Sequence, residues 1–267
     1  MNLCDANKAV SAEVKNFVLN VHDVKEESIT DYLVWKWREA DDRFKYIDIH
    51  TFTRQEESTT TGADFQLQLW LVGKTHHLPL VFQAKKLTKK YAAYHAMLNY
   101  PFGTQSQLTT ILSYAQATGH IPFYMFYGVA DSETTADCCG AQVFDTSVFM
   151  ADAHVVKRFA DGHHGKRIAK NALLGAARPF SCMFCCQPNL RNMQYVYSKK
   201  WFLTFINDDE RYKNENLPDY VTQLVDVDSS ELGAETVPGL ITRYELSVFR
   251  AVAVYDLRDS AWPWNIG

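Results

Sequence analysis

Near the N-terminus apolar residues recur every three to four positions, and farther on every second position. In "MNLCDANKAVSAEVKNFVLN" Val10, Val14, Phe17 and Val18 fall on one side of a helix. Ile29, Leu33 and Trp37, with Tyr32 and Trp35 one step round, predict a second helix up to about Ala40. Ser28 and Asp31 have the spacing of a capping pair there, and two glutamates, Glu26 and Glu27, stand at the entrance. The period then drops to two. "FKYIDIHTF" predicts a strand, and "DFQLQLWLV" a second with Phe65, Leu67, Leu69 and Leu71 on one face and Gln66, Gln68 and Trp70 on the other. "LPLVFQAKK" predicts a third, apolar enough to be central in a sheet, and Gly73-Lys74-Thr75 makes the turn before it, so the three strands read as a meander.

Helical spacing returns at Leu108, Ile111, Leu112 and Ala115 and stops at Gly119; "IPFYMFYGVA" follows as a buried strand. Beyond residue 130, "TSVFMADAHVVKRFA" and "GKRIAKNALLGAA" look helical, and "RNMQYVYSKKWFLTF" suits either strand or helix. "LPDYVTQLV" has a short helical character, and "GLITRYELSVFRAVAVYDL" is rich enough in β-branched residues to hold strands. The expected class is α/β, a mixed central sheet flanked by helices. The chain divides into an N-terminal helix over 1–23, a core over 24–130 and an α+β extension over 131–267 packed on that core, one compact domain overall.

Composition narrows the function classes. With 267 residues, 47% of them hydrophobic, the chain can bury a substantial core. A net charge of -4 gives no global basic field, so any contact with phosphates must be local. The early Asp5 argues against a signal peptide and no apolar run reaches membrane-spanning length, so a cytoplasmic address without membrane contact is expected. The six cysteines are expected as reduced thiols packed in the core or as zinc ligands rather than as bridges. A zinc set would draw on Cys182, Cys185 and Cys186 with Cys138-Cys139 or His163-His164, although the flanking residues lack glycine-rich knuckle turns.

The candidate chemistry sits at the ends of the second and third strands. Asp64 begins one and Lys85 ends the other, and antiparallel neighbours joined at Gly73 bring those ends to one edge. Gln83 and Lys85, two apart, share a face. A carboxylate, an amide oxygen and a backbone carbonyl suit a hard cation such as Mg²⁺, and a lysine beside it can position water or offset developing negative charge. Lys86, Lys89 and Lys90, with Tyr91, Tyr94 and His95 interleaved, form a phosphate-contacting lip just after this site.

The order helix, strand, strand with Asp64, strand ending Gln83-Ala84-Lys85, helix, strand resembles the PD-(D/E)XK nuclease superfamily, the restriction-endonuclease-like fold (αβββαβ), in its Gln-x-Lys variant. It also looks like an uncharacterised bacterial family within that superfamily. The resemblance covers about residues 24–130 and rests on Gly62-Ala63-Asp64 and Gln83-Ala84-Lys85. It departs in having Ala63 where proline is usual, and in Gln83, which removes one negative charge from the metal site. The resemblance implies Mg²⁺ or Mn²⁺ held by Asp64, Glu27, Gln83 and the Ala84 carbonyl, with Lys85 orienting the water. Of the two glutamates, Glu27 is favoured. Gln105 and Gln107 are the candidates for the glutamine that members carry on the next helix, and with Lys86, Lys89 and Lys90 they would contact nucleic acid. The implied activity is a metal-dependent endonuclease acting on DNA, with a role in bacterial defence against foreign DNA and a homo-oligomer or activating partner. The alternative is a catalytically degenerate nuclease-fold module that binds nucleic acid or a protein. A zinc-stabilised scaffold is the third reading.

Overall fold

The computed structural model describes residues 3–21, 23–48, 65–88, 93–100, 106–134, 143–185, 209–226 and 236–260. Its centre is a mixed seven-stranded sheet of order β1-β7-β2-β3-β4-β5-β6. The strands are β1 (Phe44–Asp48), β2 (Phe65–Val72), β3 (His77–Leu87), β4 (Ile121–Gly128), β5 (Val148–Asp152), β6 (Arg178–Pro179) and β7 (Phe249–Asp256). On one face lie α1 (Leu3–Asn20), α2 (Glu26–Ala40) and the short α7 (Cys182–Cys185). On the other lie α3 (His95–Leu98), α4 (Gln107–Thr118), α5 (Ala153–Ala160), α6 (Lys170–Gly175), α8 (Asp219–Asp226) and α9 (Thr236–Arg243).

Burial on both faces explains the strands. Val14, Ile29, Leu33 and Trp37 pack with Leu67, Leu69 and Leu71, while Ile111, Val156 and Leu224 pack with Val81, Phe126 and Val254. Every residue of β2 is buried, its glutamines included, as expected of an interior strand covered by helices on both sides.

The β2–β3 hairpin forms as its turn predicts, with Gly73 N–H donating to His76 O at 2.8 Å and Leu67 opposite Phe82. β3 then crosses through α3 and α4 to a parallel β4. The three-strand meander does not form. β7 lies between β1 and β2, antiparallel to the first and parallel to the second. Small and β-branched residues at Ala251, Val252, Ala253 and Val254 let this C-terminal strand be covered on both faces. The 131–267 segment therefore supplies β5, β6 and β7 to the same sheet as the 24–130 segment.

Two local readings are corrected. α2 starts at Glu26, and its preceding residue, Lys25, makes no side-chain cap, so Ser28 and Asp31 are not a capping pair. Asp31 instead accepts two hydrogen bonds from Arg250 of β7, at 2.7 and 2.6 Å. The segment read as helical from residue 146 begins as β5, and its helix starts at Ala153 with Asp152 Oδ1 accepting from His154 N–H at 2.6 Å. The segment 191–205 lies outside the described residues.

The cysteine reading is also overturned: Cys4 and Cys185 form a disulfide, and Cys182 is bridged too. α1 and α7 pack against each other on the same side of the sheet, which brings the Cys4 and Cys185 Cα atoms to 4.8 Å. The bridge spans 181 positions of sequence, a long closure removed from the unfolded ensemble. Replacing Cys4 and Cys185 together by serine is expected to lower unfolding free energy by about 2–5 kcal/mol, read as a lower urea midpoint. An unchanged midpoint would show that the bridge adds nothing. Among the described residues no helix is long and apolar enough to cross a membrane.

Candidate functional site

The C-terminal end of β3 meets the N-terminus of α2. Lys85, 7% exposed, lies with Nζ 3.6 Å from Glu26 Oε1. Glu26 Oε2 accepts the Lys86 backbone N–H at 2.8 Å, and Lys86 Nζ donates to Val24 O at 2.6 Å. The helix entrance is thus tied to the strand end by one ion pair and two hydrogen bonds. Of the two glutamates it is Glu26 that meets Lys85, whereas the motif favours Glu27 as the metal ligand. Adjacent helical positions differ by about 100° in direction, and the burial of Ile29, Leu33 and Trp37 turns Glu26 toward the strand.

Electrostatics at this end are tense. Burial pushes the Glu26 carboxyl above its ordinary range and the neighbouring Glu27 charge pushes it the same way; Lys85 and the Lys86 N–H pull it back down. Gln83 is 1% exposed and its Oε1 has no hydrogen-bond partner. It sits level with Tyr124 on the parallel strand β4, and the Tyr124 hydroxyl is likewise buried without a partner. Burial and the Glu26 charge both raise the pKa of that hydroxyl. Two orphaned buried oxygens beside a carboxylate–ammonium pair are costly unless a further group completes them.

That chemistry fits a hard cation, which takes oxygen ligands, and Gln83 Oε1 is an acceptor left open for one. Among the described residues no three His, Cys, Asp or Glu side chains gather as a ready metal cage. Asp64, which the motif makes the principal ligand, lies outside the described residues; so do Lys89, Lys90 and Gln105. Ala84 is fully buried in β3. Gln107 is the first residue of α4, and its Oε1 is buried without a partner. The Lys86 ammonium is engaged by Val24 O, so this member of the predicted lip fastens α2 to β3. The zinc reading finds no support among the described residues, since Cys182 and Cys185 are bridged and the His164 ring stacks on Phe159 at 3.9 Å.

Tyr124 was missed by sequence reasoning. Its signal was a tyrosine inside the apolar run "IPFYMFY", whose parallel register against Gln83 is a non-local fact. A family of unknown function (DUF6615) matches residues 3–258, and the chain belongs to that family. No curated protein and no solved structure matches.

Proposed function

We propose that this DUF6615 member is a metal-dependent nuclease hydrolysing phosphodiester bonds in DNA, with its site at the junction of β3 and α2. One observation carries the reading: a buried Lys85 paired with the partly buried Glu26 beside the orphaned Gln83 Oε1, in the order Gln-Ala-Lys at the end of a hairpin strand. Asp64, Gln83 and the Ala84 carbonyl would hold Mg²⁺ or Mn²⁺, with Glu26 in the role first given to Glu27. When bound, the cation supplies Lewis acidity toward the phosphate and lowers the pKa of water. Lys85 carries the ammonium that orients the attacking water or offsets charge developing on the phosphate. Glu26 holds Lys85 in place through their ion pair at 3.6 Å. A role in defence against foreign DNA belongs to the same proposal.

A degenerate module is the second reading, favoured by the engagement of both Glu26 oxygens within the chain. The two separate in one experiment. Supercoiled plasmid and single-stranded DNA are incubated with purified protein and Mg²⁺ or Mn²⁺, beside a folded Asp64→Ala variant. Cleavage by the wild type that Asp64→Ala abolishes supports the nuclease. Absence of cleavage, together with DNA binding that persists in EDTA, sinks the nuclease and leaves the module.

A further inference from the structure

A cavity opens at the opposite end of β3 from the Lys85 junction. Lys85 and His77 are eight positions apart, roughly 25 Å along an extended strand. The cavity measures about 680 Å³, within the usual range for small-molecule sites, and its walls include Trp70, His77, Tyr114, His120 and Tyr220. The Trp70 ring stands 5.4 Å from His77, 5.2 Å from His120 and 6.2 Å from Tyr220, centroid to centroid. Tyr220 in turn contacts Tyr244 at 5.0 Å, extending the aromatic wall toward the rim.

The polar groups of this wall are held by one hydrogen-bond chain. The Tyr220 hydroxyl donates to Gln68 Oε1 at 2.9 Å, leaving the Gln68 amide N–H to donate to His120 Nε2 at 2.8 Å. His120 Nδ1 must then carry the proton, which it directs to Thr118 Oγ1 at 2.8 Å. The Trp70 indole N–H, buried in the same wall, faces the Tyr220 hydroxyl without closing a well-formed hydrogen bond. The two imidazoles add no charge near neutral pH, because loss of solvation lowers His77 to about 4 and His120 to about 3.

The rim carries a cation. Arg211 is exposed and lies across Gly119, the left-handed residue that ends α4, where a Cβ would come within 2.1 Å of the guanidinium carbon. Glycine there gives the guanidinium its seat over the cavity mouth. Glu210 on the same rim is paired with Lys213.

We propose that this cavity binds a nucleoside 5′-phosphate, with the base against the partly exposed rings of Tyr114 and Tyr244 and the phosphate on Arg211. Aromatic faces stack on any base, and a guanidinium matches a phosphate in two-point geometry. The nucleotide is supplied either free or as part of a nucleic-acid strand. The site shares no residue with the β3–α2 junction, so it stands whether or not that junction cleaves DNA.

The test is calorimetric titration, in EDTA, of the full chain with each of the four ribonucleoside 5′-monophosphates, the matching nucleosides, and single-stranded oligonucleotides of the same base. At least one monophosphate is expected to bind with sub-millimolar Kd, and its nucleoside at least about tenfold more weakly. Arg211→Gln, at an exposed position, is expected to weaken the phosphate form about tenfold and leave the nucleoside unchanged. Tyr244→Ala, at the rim, should weaken both. An oligonucleotide binding at least as tightly as the monophosphate identifies a strand as the source; binding confined to the monophosphate identifies a free nucleotide. The proposal is overturned if no monophosphate or oligonucleotide binds natively folded wild type, or if both variants bind as the wild type does.

Discussion

Lys85→Met is expected to lower metal-dependent DNA cleavage by about a hundred- to a thousandfold, the usual cost of removing one group that stabilises charge in a transition state. Methionine keeps much of the apolar stem, so the loss reports the ammonium. The two glutamates provide the internal comparison: Glu26→Gln should approach the Lys85→Met defect, and Glu27→Gln should cost far less, because Glu26 alone is paired with Lys85. Equal cleavage by Lys85→Met and wild type, or a greater loss in Glu27→Gln than in Glu26→Gln, would sink the assignment.

The same variant carries a stability signature that cleavage cannot supply. Burial already raises the Glu26 pKa and Lys85 opposes that rise, so removing the ammonium raises it further. The folded state of Lys85→Met then holds a proton that the unfolded chain releases above the ordinary carboxylate range. Its stability accordingly falls as pH rises through that window and recovers on acidification. At neutral pH the uncompensated carboxylate is expected to cost up to about 3–5 kcal/mol, lessened by whatever proton it takes up. Urea unfolding of variant and wild type at pH 5.5 and pH 8 would show a gap that widens toward pH 8; a gap independent of pH would count against Glu26 as the partner.

Acid should weaken the wild type in a different window and for the opposite reason. His77 falls from the ordinary 6.5 to about 4, chiefly through burial and then the His76 charge, and His120 to about 3 through burial and then Arg211. Both rings stay neutral in the folded protein while the unfolded chain takes up protons. Stability is therefore complete above about 6.5 and is lost progressively as pH falls toward the folded values. For His77, 3% exposed, the shift corresponds to roughly 3 kcal/mol. Asp131, held at about 2 chiefly by its hydrogen bond with Lys170, contributes only below the ordinary carboxylate range, so the loss between pH 6.5 and 4.5 belongs to the histidines. His77→Gln should flatten that part of the urea-midpoint profile. A variant profile as steep as the wild type's would show that His77 is not the titrating group.

Local periodicity and turn chemistry were legible in the chain itself. Val10 and Val14 marked the buried stripe of α1, Ile29, Leu33 and Trp37 that of α2, and Leu108, Ile111 and Ala115 that of α4. Gly73 announced the β2–β3 hairpin, and the two-residue period put Gln83 and Lys85 on one face. These follow from backbone geometry over a few residues. The strand between β1 and β2 did not, because pairing partners are chosen by long-range burial, and β7 arrives from beyond residue 248. Nor could spacing choose between Glu26 and Glu27, since that depends on how the packed stripe of α2 rotates the helix against the end of β3. The Cys4–Cys185 bridge and the Gln68–His120–Tyr220 wall likewise join positions far apart in the chain. Contacts of that kind are decided by which faces compete for the same buried surface, a property of the assembled sheet rather than of any one segment.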